Sequence, residues 1–141
     1  MNSILKMLGA SGLLCLLFVT PAPAQIVNGV DFKTTFPFWV GNAKLPAGAY
    51  MIKPSGTDES ILEIQDPSGV HTAMVEITPT QAESAHTSTD VTFKKYGNVE
   101  YLNMVWVTGQ KYGMQVDPSK TEQKLAAASP PQTHKVSGKA K

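Results

Sequence analysis

Thr89-Asp90-Val91-Thr92-Phe93-Lys94-Lys95-Tyr96-Gly97-Asn98-Val99-Glu100-Tyr101-Leu102-Asn103-Met104-Val105-Trp106-Val107 consists of two runs rich in β-branched and aromatic residues around a Gly-Asn pair. Neither run shows helical spacing of its apolar residues, and both residues of the pair accept positive φ, so the stretch predicts an antiparallel hairpin. In the second arm Val99, Tyr101, Val105 and Val107 share one parity, and Leu102, Met104 and Trp106 share the other. Both faces are therefore apolar, which predicts a central strand covered on both sides.

The same pattern extends outward from the hairpin. Upstream, Val30 to Val40 reads as a first strand with Val30, Phe32, Phe36, Phe38 and Val40 on one face, and Pro37 marks an edge or a bulge. Gly41-Asn42 and Leu45-Pro46-Ala47-Gly48 are turn chemistry leading into a strand Ala49 to Lys53, with Tyr50 and Ile52 inward. Ile61 to Gln65 and Val70 to Ile77 follow as a meander across the turn Asp66-Pro67-Ser68-Gly69, with Ala73, Val75 and Ile77 on the dry face. Pro79 to Thr89 reads as a polar connection with a short edge strand around Gln81 to Ala85. Downstream, Lys111 to Val116 adds a last strand. Ser119-Lys120-Thr121-Glu122 matches a capping box for a helix ending near Ala128, and Pro130-Pro131 stops it. Residues 129–141 hold three lysines and no acid, which predicts a disordered basic tail. The sum is an all-β domain: an antiparallel sandwich or partly open barrel of about seven or eight strands, with the short C-terminal helix closing one end and covering an apolar face of Val99 to Val107.

The first 24 residues read as an export signal. Lys6 is followed by the apolar run Leu8 to Val19, and Ala22-Pro23-Ala24 places small side chains at a cleavage site. The run is too short to span a bilayer, and Cys15 lies inside it rather than after a small residue as lipidation requires. Cleavage after Ala24 makes Gln25 the mature start and predicts a periplasmic or secreted protein. It divides the chain into a leader (1–24), one β-domain (25–128) and a tail (129–141). The mature part has no further apolar stretch of spanning length and no cysteine, so a core rather than disulfides must stabilise it.

Three stretches together resemble an uncharacterised family of small exported acidobacterial β-domain proteins. They are Phe36-Pro37-Phe38-Trp39-Val40-Gly41-Asn42 with Leu45-Pro46-Ala47-Gly48-Ala49-Tyr50, the hairpin residues Phe93, Tyr96, Gly97, Tyr101, Leu102, Val105 and Trp106, and Ser119, Glu122, Leu125 and Ala126. The resemblance implies a compact β-domain and brings no catalytic or ligand residues with it. That family tends to carry arginine where this chain has Lys94, Lys95, Gln123 and Lys124.

Composition narrows the chemistry. Twelve lysines, eleven acidic residues and no arginine give a net charge of +1. A balanced charge without guanidinium groups argues against nucleic acid and against phosphate-reading sites. His71, His86 and His134 lack zinc-site spacing, Asp58, Glu59 and Asp66 lack a calcium-loop pattern, and Ser55 and Ser68 sit in Pro-Ser-Gly turns rather than a nucleophile elbow. No catalytic, metal or cofactor site is read. Carboxylates such as Glu63 and Glu76 could meet across a meander in a hydrolase, but outward, salt-bridging carboxylates are the stronger expectation. The candidate ligand-binding residues are aromatic: Trp39, Tyr50, Tyr101 and Trp106, with Tyr96 beside them, and Trp39 falls on the wet parity. The leading expectation is a non-enzymatic exported β-domain that binds a partner protein or envelope component. The alternatives are a carrier whose interior, lined by Tyr50, Tyr101 and Trp106, holds a small apolar ligand, and an extracytoplasmic hydrolase. Lys135, Lys139 and Lys141 mark the tail as a weak contact for anionic surfaces.

Overall fold

The computed structural model describes residues 29–56 and 58–141; the expected leader and the start at Gln25 lie outside them. The elements are β1 (Val30–Thr34), β2 (Phe38–Val40), β3 (Ala43–Leu45), β4 (Gly48–Ser55), β5 (Asp58–Gln65), β6 (Thr72–Gln81), β7 (Asp90–Tyr96), β8 (Val99–Trp106), β9 (Tyr112–Val116), α1 (Lys120–Ala128) and β10 (Gln132–Ala140). In space the order is β8-β7-β10-β1-β4-β5-β6-β9, and β9 pairs back onto β8 through Val105 and Met114. Eight antiparallel strands thus close a barrel, which leaves no open sheet edge among them. The all-β expectation holds, and of its two forms the structure is the barrel, closed rather than partly open.

The quoted hairpin forms as β7 and β8, joined at Gly97 (φ 62°); Asn98 keeps a negative φ. The parity reading of its second arm is corrected by a bulge. Thr92 faces Met104 and Phe93 faces Leu102, so Asn103 is the extra residue. Across it Leu102 and Val105 both turn inward, 1% and 0% exposed, while Tyr101, Met104 and Trp106 face out. The expected strand Val30 to Val40 is two strands, β1 and β2, with a bend at residues 35 and 36 ahead of Pro37. The polar connection starts later than expected, because β6 continues to Gln81 along β9.

The expected disordered tail is β10. It lies between β7 and β1 and completes the barrel, pairing Gln132 to Ser137 with β7 and Gly138 to Ala140 with β1. Its composition is polar because its outer face is wet and its inner positions are filled by His134, Val136 and Gly138, all only half-buried. Gly138 is dictated by space: a Cβ there would stand 2.9 Å from Val30 Cγ1.

Aromatic and aliphatic side chains pack the interior. Phe38 from β2 is 0% exposed and packs edge-on against Tyr50 (5.2 Å) and Phe93 (5.3 Å), while Phe32 stacks on Tyr50 at 5.9 Å. Ile52, Leu62, Ile64, Val91, Leu102 and Val105 complete this core. Burying each such side chain contributes about 1.5–3 kcal/mol. Phe38, Val40 and Leu45 enter it from the β2–β3 hairpin, which therefore does the covering expected of α1. The single buried residue of α1 is Glu122, so the helix covers little apolar surface. Among the described residues no helix is long and apolar enough to cross a membrane.

Candidate functional site

The aromatic candidates occupy three separate places. Tyr50 belongs to the core, 3% exposed, and its hydroxyl donates to the Pro46 carbonyl at 2.6 Å. Burial pushes that hydroxyl's pKa up, with the Asp66 charge a smaller cause. Trp39 and Tyr101 stack at 6.3 Å where β2 runs parallel to β8, and Tyr96 meets Tyr101 edge-on at 5.8 Å. The wet parity read for Trp39 corresponds to a half-buried ring lying on Tyr101 rather than a free surface. Trp106 is elsewhere again, stacked on His86 at 4.6 Å and 14°. The 82–89 loop holds His86 there through backbone bonds to Gln110 and Gly109.

Tyr96 lies at the tip of the β7–β8 hairpin, where its hydroxyl donates to Glu122 Oε1 at 3.2 Å. Ser119 caps α1 as its sequence implies, accepting from the Glu122 backbone N–H at 3.1 Å. The reciprocal half of the capping box is replaced, since the Glu122 carboxyl turns into the barrel wall instead. Burial raises the Glu122 pKa above the usual carboxylate range, against the Tyr96 hydrogen bond and the Lys94 charge, which lower it. Burial, with Glu122 second, pushes the Tyr96 hydroxyl up to about 12.

The polar candidates divide similarly. Glu63 and Glu76 sit on the wet outer face of β5 and β6, with Glu76 opposite Ile61 and Glu63 opposite Met74. His71 Nδ1 lies 2.9 Å from Asp66 Oδ2, closing the β5–β6 turn, and this bond is the main cause holding the Asp66 carboxyl below its usual range. A pair not read from the sequence is His134 and Glu100, which share the inner parity of β10 and β8. His134 Nε2 stands 3.5 Å from Glu100 Oε2, and neither atom has a hydrogen-bond partner among the described residues. Phe36 lies edge-on to His134 at 5.2 Å. Among the described residues no group of three or more His, Cys, Asp or Glu side chains is placed to hold a metal ion.

A concave feature lies outside the barrel wall. An open groove of about 600 Å³ crosses β10, β1 and β4 and ends at the β5–β6 turn. Pairing explains its composition: Lys139, Asp31, Met51 and Gln65 form one row of outward side chains across β10, β1, β4 and β5. Lys33 and Ala49 form the next row. Of the four ligand-binding candidates read from the sequence, Tyr50 borders this groove, and Trp39, Tyr101 and Trp106 do not. Lys139 and Lys141 were legible only as a basic tail, because their place depends on β10 pairing with β1.

No family model, curated protein or solved structure matches this chain.

Proposed function

We propose that the chain is an exported, non-enzymatic binding domain that takes an envelope component or partner in the outer groove. The observation that carries this reading is an open groove of about 600 Å³, a volume typical of ligand sites, outside a barrel whose interior is packed with aromatic and aliphatic side chains. Carriage of an apolar ligand inside the barrel has less support, since Tyr50 is locked among Phe32 and Phe38 and both Tyr101 and Trp106 face outward. A hydrolase has less still, with Glu63 and Glu76 on the wet outer face of β5 and β6 and neither of them lining the groove. Export after cleavage at Ala24 and kinship with the exported acidobacterial β-domain proteins belong to the same proposal.

The test is native mass spectrometry of the full chain expressed with its export route intact and recovered without denaturation. The expected result is an adduct of constant mass on the wild-type protein that disappears in Ala49→Trp, where an exposed position on the groove is filled. An adduct that survives Ala49→Trp would place binding elsewhere. A bare chain in both proteins would remove the small-component form of the proposal. Amino-terminal sequencing of the same sample tests cleavage before Gln25.

A further inference from the structure

Five charged side chains border the outer groove: Asp31, Lys33, Asp66, Lys139 and Lys141. Three of them have partners within the fold. Lys141 Nζ lies 3.3 Å from Asp31 Oδ2, and the Asp66 carboxylate accepts from Ser68 and contacts the His71 ring, at 2.9 Å each. Lys33 and Lys139 have no hydrogen bond or ion pair among the described residues. They sit on neighbouring strands: Lys139 faces Asp31, and Lys33 is one outward position further along β1. The repulsion Asp31 would exert on an anion between them is offset by Lys141.

The groove is therefore asymmetric. Its β10–β1 side presents two uncommitted ammonium groups, and its β4 side presents Ala49 and Met51, with Pro67 of the turn beyond. An acidic head set between two lysines forms charge-assisted hydrogen bonds, and an apolar body gains by leaving water along the other side. The volume suits one slender molecule. A bilayer offers its headgroups on a broad surface, which meets a concave floor poorly.

Building on the reading of this groove as the binding site, we infer that its ligand is a free single-chain anionic amphiphile. The carboxylate or similar acid lies between Lys33 and Lys139, and the chain runs over Ala49 and Met51 toward Pro67.

Amide shifts of the full ¹⁵N-labelled chain test this with four probes: dodecanoate, dodecyltrimethylammonium, dodecyl maltoside, and vesicles of anionic phospholipid, the first three held below micelle formation. Dodecanoate should shift amides of β1, β4 and β10, and the double variant Lys33→Gln, Lys139→Gln should weaken it about tenfold while leaving dodecyl maltoside unchanged. Both lysines are exposed, so the variant should retain the wild-type amide pattern. Equal binding of the cationic or neutral probe in the groove would overturn the acidic head and leave the groove reading intact. Binding to vesicles without binding to free dodecanoate would overturn the free amphiphile in favour of a membrane surface. Shifts confined to other strands, or none with any probe, would overturn this inference and count against the small-ligand form of the groove reading as well.

Discussion

Adding one methyl group at Gly113 tests the account of the outer wall. Gly113 lies on β9 under the Trp106 ring, and an alanine Cβ there would stand 2.7 Å from Cε3 and 2.8 Å from Cδ2 and Cζ3. Ordinary carbon contacts begin at about 3.5 Å, so the ring must retreat by about 0.8 Å. It has little freedom to do so, because His86 covers its other face at 4.6 Å. Overpacking of this kind costs about 1–3 kcal/mol, and a weakened ring stack adds about 0.5–1.5. Alanine returns about 0.4–1 by restricting the unfolded chain, since Gly113 does not use a positive φ. The net expectation is a loss of about 2 kcal/mol, or a fall of about 1 M in the urea midpoint. The same substitution in a Trp106→Leu background should cost less than about 0.5 kcal/mol, which isolates the ring as the cause. A Gly113→Ala protein as stable as wild type, or an equal loss in both backgrounds, would refute the reasoning.

Truncation before Gln132 should leave β7 and β1 as bare edges and abolish cooperative unfolding, whereas a disordered tail would be removed without effect; thermal melts of the truncated chain decide between them. Phe38→Ala should cost about 3–5 kcal/mol in urea unfolding, because Phe38 is fully buried against Tyr50 and Phe93. Glu122 has a raised folded-state pKa, so its contribution to stability is present below the ordinary carboxylate range and is lost as pH rises through the raised value. Glu122→Gln should therefore gain on wild type between acid and neutral pH when urea midpoints are compared at each, and a constant difference would contradict this. Tyr96, raised to about 12, supports the fold fully below 10.0 and loses that contribution as pH climbs through about 12. A phenolate absorbance step near pH 12 on alkaline titration should be absent from Tyr96→Phe.

What the sequence made legible was local. The β7–β8 hairpin, the meander of β4, β5 and β6, and the Ser119 cap each depend on residues within a short span, where alternation and turn chemistry are sufficient. The bulge at Asn103 was not legible, because one inserted residue exchanges the faces of everything beyond it without changing composition. That exchange sets Tyr101 and Trp106, of opposite parity in the sequence, together on the outer face, and Leu102 and Val105 together on the inner one. Strand β10 was hidden because Gln132-Thr133-His134-Lys135 lacks apolar alternation and its partners lie far away in the chain. The groove was hidden for the same reason, since a row such as Lys139, Asp31 and Met51 exists only after those pairings form.

The pairing of β1 with β10 also sets an order of events in time. Val30 lies opposite Ala140, 110 positions later (140 less 30). A ribosome must therefore release β10 before the barrel can shut, and until then β1 and β7 wait with unmade ladders. Such late closure fits the export proposed above, since it keeps the chain an open string until β10 has been made.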